Sequence, residues 1–122
     1  MDKFVEFSDL TGLKIDSISG LEVGSDHVRF DTSGGVFIMY HSQDCCESVA
    51  IEDIVGDVED LVNAVVIFAN EDGSEDAEAP ENAESYTWTL YNIQTNKGHV
   101  QIRWLGQSNG YYSESVSFVR EV

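Results

Sequence analysis

The sequence predicts a mainly β domain of the α+β class, with about seven strands in a curved or half-closed, mostly antiparallel sheet and one short helix. Three observations predict it. Short apolar runs with two-residue alternation recur along most of the chain. Turn pairs separate several of them, at Ser33-Gly34, Lys97-Gly98 and Asn109-Gly110. Helical spacing is held in one place only, by Ile54, Val58, Leu61 and Val62. With 122 residues the chain is expected to form a single domain over 1–122.

In chain order, LKIDSI at 13–18 and HVRFDT at 27–32 read as strands that end in turn residues. GVFIMYHS at 35–42 places Val36, Ile38 and Tyr40 on one face and Phe37, Met39 and His41 on the other. Both faces are largely apolar, which marks a central strand. SVAIEDIVGDVEDLVNA mixes the two periods, and a short helix over 57–63 with Asp57 as N-cap accounts for its second half. AVVIFA at 64–69 is a buried strand. Residues 70–84 hold seven acids and the only proline, without an aromatic or large aliphatic side chain, and read as a mobile acidic loop. Strands at 86–94, 99–106 and 113–119 complete the sheet.

Twenty-three acids against six Lys and Arg give a formal net charge of −17. Such a chain repels nucleic-acid phosphates and anionic membranes, so direct nucleic-acid binding is not expected and basic surfaces are the favoured partners. The opening MDKFVEFSDL has no basic region followed by an apolar run, and no stretch of eighteen apolar residues occurs, so the expectation is a cytoplasmic protein without a membrane segment.

The stretch HSQDCCESV at 41–49 holds one imidazole, two carboxylates and the only two cysteines. Neighbouring Cα atoms lie about 3.8 Å apart, below the usual range of about 4.4–6.8 Å for bridged pairs, so Cys45 and Cys46 are expected to be free thiols. Adjacent thiols also lack the spacing of a closed zinc site. Seven acids between Asp44 and Asp60, with no Lys or Arg among them, oppose thiolate formation. The cysteines therefore read as packing groups, and the chemistry of the stretch falls to His41, Gln43, Asp44 and Glu47. A second cluster, IRWLGQSNGYYSES, gathers Arg103, Trp104, Asn109, Tyr111 and Tyr112, the ingredients of a pocket that stacks a ring and pairs an anion. No EF-hand loop, phosphate-binding Gly-rich loop, G-x-S-x-G elbow or H-E-x-x-H helix is present.

Three stretches together, GLEVGSDHVRFDTSGG, MYHSQDCCESVAIEDIVGDVEDL and ESYTWTLYNIQTNKGHVQIRWLGQSNGYYSESVSF, carry a likeness. The chain resembles a family of small uncharacterised domains of phages and bacteria with Y-H-x-Q-D-C-C-E and R-W-x-G-x-S-N-G-Y-Y-S-E motifs. The resemblance implies a phage or prophage accessory protein and brings no activity with it.

The leading expectation is a phage-type accessory binding protein, with a counter-defence role, that holds a small anionic or nucleotide-like ligand where the two polar stretches meet. Arg103 pairs the phosphate in that reading, Trp104, Tyr111 or Tyr112 stacks the base, and His41 with Asn109 orients it. The alternatives are an acidic inhibitor or DNA mimic acting on a basic host protein, and a small metal-dependent or hydrolytic enzyme built on His41, Asp44, Glu47 and a cysteine. No cofactor or resident metal is expected, and self-association stays open.

Overall fold

The structure is a computed structural model and describes residues 2–73 and 84–121. Nine strands form: β1 (Asp2–Phe4), β2 (Lys14–Ser19), β3 (His27–Thr32), β4 (Gly35–Tyr40), β5 (Ser48–Val55), β6 (Ala64–Gly73), β7 (Ser85–Thr95), β8 (His99–Ser108) and β9 (Ser117–Glu121). They lie in one open sheet in the order β1-β9-β4-β3-β2-β6-β7-β8-β5, with every neighbouring pair antiparallel.

The alternation of the sequence builds the core directly. In β8, Val100, Ile102 and Trp104 point inward and are fully buried, while Gln101 and Arg103 between them are partly exposed. In β4, Phe37, Met39 and the following His41 are all buried, as a strand flanked on both sides by β3 and β9 requires. The β1-β9-β4-β3-β2 wing meets the β6-β7-β8-β5 wing through only two residue pairs, Lys14↔Val65 and Ile15↔Ala64. Both wings nevertheless feed one apolar cluster, with Val28, Phe30, Met39 and Phe118 from the first and Ile51, Tyr91, Ile102 and Trp104 from the second. The free edge of β5 is fastened back to the first wing, because Gly24 N donates to Ile51 O at 2.7 Å and Ile51 N donates to Ser25 O at 2.8 Å. Those bonds cover backbone groups that an edge strand otherwise leaves open.

The mainly β, antiparallel class stands, with differences in detail. Nine strands replace about seven, because Asp2–Phe4 is too short to show a period and Ser48–Val55 carries a register shift between Ile51 and Asp53 that breaks its alternation. The helix expected at 57–63 is a single 3-10 turn, Val58–Leu61, whose Asp57 cap accepts the Glu59 N–H at 3.0 Å. A second 3-10 turn spans Phe7–Leu10 and buries both of its end residues. The strand expected to be buried and to stop at residue 69 continues to Gly73, paired with β7 as far as Thr89, and buries only Ala64, Val66 and Ala69 while Val65, Ile67 and Phe68 are exposed. The acidic loop was expected from residue 70; its residues 70–73 are strand, and 74–83 lie outside the described residues. The last strand begins at Ser117, since 109–116 is irregular backbone. Among the described residues no helix is long and apolar enough to cross a membrane.

Candidate functional site

The chain leaves β4 at His41 and re-enters the sheet at Ser48, and Glu47 organises the loop between them. Its side chain is fully buried, and each carboxylate oxygen accepts two hydrogen bonds. Oε1 takes the Gln43 amide at 2.9 Å and the Cys45 N–H at 2.9 Å. Oε2 takes the Asp44 N–H at 3.0 Å and faces His41 Nε2 at 3.1 Å. Burial pushes the Glu47 carboxyl up, but the backbone N–H groups of Cys45, Glu47 itself and Asp44, with His41, outweigh it and bring it down to about 2. Gln43 closes the loop a second time by donating to the Glu47 carbonyl at 2.5 Å. A seven-residue connection is thus wound around one ionised carboxylate.

His41 carries the brace to the second polar stretch. Its Nδ1 lies 2.7 Å from the Ser115 carbonyl oxygen, so one ring nitrogen meets a carbonyl and the other a carboxylate. Both partners are acceptors, and a doubly protonated ring donates to both where a neutral ring donates to one. The HSQDCCE and SNGYYSES stretches therefore do meet, through a buried imidazole and not across a cavity.

The second stretch is fixed from its other end. Glu114 Oε1 accepts the Thr87 hydroxyl at 2.7 Å and Oε2 accepts the Ser108 hydroxyl at 2.6 Å. Burial raises this carboxyl, yet the hydroxyls of Ser108, Ser85 and Thr87 hold it below the ordinary carboxylate value. Gly106 is what lets this segment lie against β8: a Cβ there would sit 2.5 Å from the Glu114 carbonyl oxygen and 2.7 Å from its Cβ. Gly106→Ala is accordingly expected to displace residues 108–115 and to cost about 1–3 kcal/mol, read as a lower urea midpoint at unchanged slope.

The nominated residues divide between faces. His41 and Glu47 are buried supports. Gln43 and Asp44 are exposed, as are Asn109 and Tyr111, with Tyr111 at 89% exposure and Tyr112 half-buried. Asn109 Oδ1 accepts the Tyr111 N–H at 3.1 Å and shapes the turn. Trp104, expected to stack a base, is fully buried, and its Nε1 donates to Met39 Sδ at 3.0 Å. Arg103 projects from the opposite face of the same strand. There its guanidinium stacks over Trp88 at 5.2 Å and its Nη1 sits 3.5 Å from Asp53 Oδ2. Arg103 and His41 therefore do not share a site.

The cysteines need two corrections. Cys45 and Cys46 are joined to each other in place of the expected free thiols, and both are exposed instead of packed. Glu47 occupies the interior position that the cysteines were expected to fill, because its carboxylate finds four donors in the loop backbone and side chains. Residues overlooked from sequence are Glu114, Gly106 and Trp88, all of which lie inside the stretches quoted for the resemblance. The Ser115 carbonyl, a backbone group, left no signal. Among the described residues no group of three His, Cys, Asp or Glu is placed to hold a metal ion. Two clefts among the described residues lie elsewhere, one lined by Lys3, Val5, Asp9, Leu13, Gly34, Phe37 and Arg120, the other by Asp2, His27, Arg29, Ile38, Tyr40 and Glu121.

Fold and loops together define a small antiparallel β protein that displays a rigidly braced, polar, partly aromatic surface beside one edge of its sheet. The chain belongs to the family described as domain of unknown function DUF7448, whose model matches residues 8–118. No curated protein and no solved structure matches it.

Proposed function

We propose that the chain is a non-catalytic binding protein that engages a basic protein surface through the braced loop 42–46 and the adjoining turn 109–112. The observation that carries this reading is the division of labour around Glu47. The buried side chains of the two stretches are consumed in bracing, and what they leave exposed includes Asp44, the cysteine pair, Asn109 and Tyr111, with Gln43 exposed as well as bracing. A rigid loop loses little conformational entropy on docking, and an exposed tyrosine beside it supplies an aromatic anchor of the kind that dominates interface energetics. A net charge of −17 supports a basic partner and fast, salt-sensitive association. In the phage setting implied by the resemblance, that partner is a host enzyme and the outcome is inhibition.

The small-ligand reading at Arg103 has less support. That guanidinium stacks on Trp88 and meets Asp53 through Nη1, leaving its buried Nε without a hydrogen-bond partner among the described residues, and the aromatic ring assigned to the ligand, Trp104, lies in the core.

Comparative affinity capture from host lysate tests the proposal. The wild-type chain is expected to retain a basic protein that is lost at high salt and lost with an Asp44→Lys/Tyr111→Ala variant, with Arg103→Ala behaving as wild type. Retention of the same proteins by the double variant, or loss caused by Arg103→Ala, would overturn it.

A further inference from the structure

Cations are scarce in this chain, and their placement is uneven. Of the six, Lys14, Arg29 and Arg103 each lie within 4 Å of an acid, at 3.8 Å from Asp16, 3.0 Å from Asp31 and 3.5 Å from Asp53. Lys97 Nζ donates to the Val62 carbonyl at 2.6 Å. Lys3 and Arg120 form no ion pair among the described residues, and they are direct cross-strand partners in the β1–β9 register. Like charges placed directly opposite each other on a sheet repel, at a cost of a few tenths of a kcal/mol to about 1 kcal/mol. In a chain with a net charge of −17, acids to neutralise them are plentiful, yet these two face each other.

Both line one cleft of about 450 Å³, within the range of small-molecule sites. It lies where the inner face of the first wing reaches the surface. Val5, Leu13 and Phe37 give it apolar walls, and Gly34 also lines it. The Arg120 guanidinium sits 6.0 Å over the Phe37 ring. Gly35 makes room for it, since a Cβ at that position would stand 3.1 Å from Arg120 Nε. Asp9 also lines the cleft, with its Oδ2 accepting the Glu6 N–H at 3.2 Å.

We infer that this cleft binds a small organic anion, with its phosphate or carboxylate between Lys3 and Arg120 and its apolar body against Val5, Leu13 and Phe37. Arginine offers a planar fork to an oxyanion and lysine a point charge, so the pair is suited to one group with two or more oxygens. The anion relieves the repulsion between the two cations. The apolar walls make the body of the ligand matter as well as its charge. This site is separate from the braced loop and does not depend on the partner proposed for it.

Titration of the full chain with phenyl phosphate, and separately with inorganic phosphate, followed by amide chemical shifts, tests the inference. Phenyl phosphate is expected to move the amides of Lys3, Gly34, Gly35 and Arg120 and to bind at least about tenfold more tightly than inorganic phosphate. Arg120→Gln is expected to weaken it by about tenfold or more, and Lys14→Ala to leave it unchanged. Lys3→Gln serves as the stability control: its melting temperature without ligand should equal or exceed that of wild type, while the upward shift produced by phenyl phosphate disappears. The inference is overturned if no amides shift, if the two phosphates bind equally, or if Lys14→Ala weakens binding as much as Arg120→Gln does.

Discussion

Trp104→Ala is expected to destabilise the protein by about 3–5 kcal/mol, a large share of the roughly 5–15 kcal/mol that holds a typical domain folded. Trp104 is the largest of the fully buried side chains, and it faces Ile51 across the β5–β8 ladder. Truncation leaves a cavity at the centre of the cluster to which both wings contribute, and the surrounding strands, tied by their ladders, close only part of it. It also leaves Met39 Sδ without its donor. A fall in melting temperature of about 15 °C or more follows, and Trp104→Phe, which keeps an aromatic ring in place, is expected to recover most of it. Thermal and urea denaturation of the three proteins measure this. If Trp104→Ala melted within a couple of degrees of wild type while a ring-bearing ligand lost its binding, the tryptophan would be a binding group and its burial would not describe the working protein.

Trp104 also shows why some of this molecule is legible in sequence and some is not. Its alternation with Ile102 fits the core as well as the stacking role expected of it, whereas Phe37 and Met39 are marked by a central strand, and the structure puts all four in the core. Turn signals at Ser33-Gly34, Lys97-Gly98 and Asn109-Gly110 likewise fall between or just after strands. What periodicity does not carry is which polar group sits inside. HSQDCCE offers Asp44, Glu47 and two cysteines to the interior, and the choice of Glu47 depends on where the backbone N–H groups of a tight loop converge. That convergence is a property of the folded path, as is the approach of residue 114 to Gly106. The pairing of Lys3 with Arg120 joins the two ends of the chain, a separation over which no local pattern reports. The bulge in β5 hid a whole strand for the opposite reason, by shifting its alternation after Ile51.

Glu47→Gln is expected to lower the melting temperature at neutral pH by about 10 °C, because hydrogen bonds to a charged acceptor are stronger than neutral ones and the new amide turns a donor toward groups that are themselves donors. Only one oxygen remains to serve Gln43, the Asp44 and Cys45 N–H groups and His41. The pH dependence separates this account from a general loosening of the loop. The Glu47 carboxyl titrates at about 2 in the folded protein against an ordinary value of 4.5. A lowered folded value means that its stabilising contribution is complete above about 4.5 and is lost as the pH falls toward 2. The difference in stability between wild type and Glu47→Gln is therefore expected to shrink steadily as the pH falls from about 4.5 toward 2. Asp31 and Glu114, whose carboxyls are also lowered, titrate in both proteins and cancel in that difference. A gap that stayed constant down to pH 2 would show that the carboxylate charge does not hold the loop. If the charge does hold it, the variant also releases His41 from one of its two acceptors. Gln43, Asp44 and the cysteine pair are then no longer held in place, and the proposed binding of a basic partner through residues 42–46 is expected to weaken at neutral pH even though those side chains are unchanged.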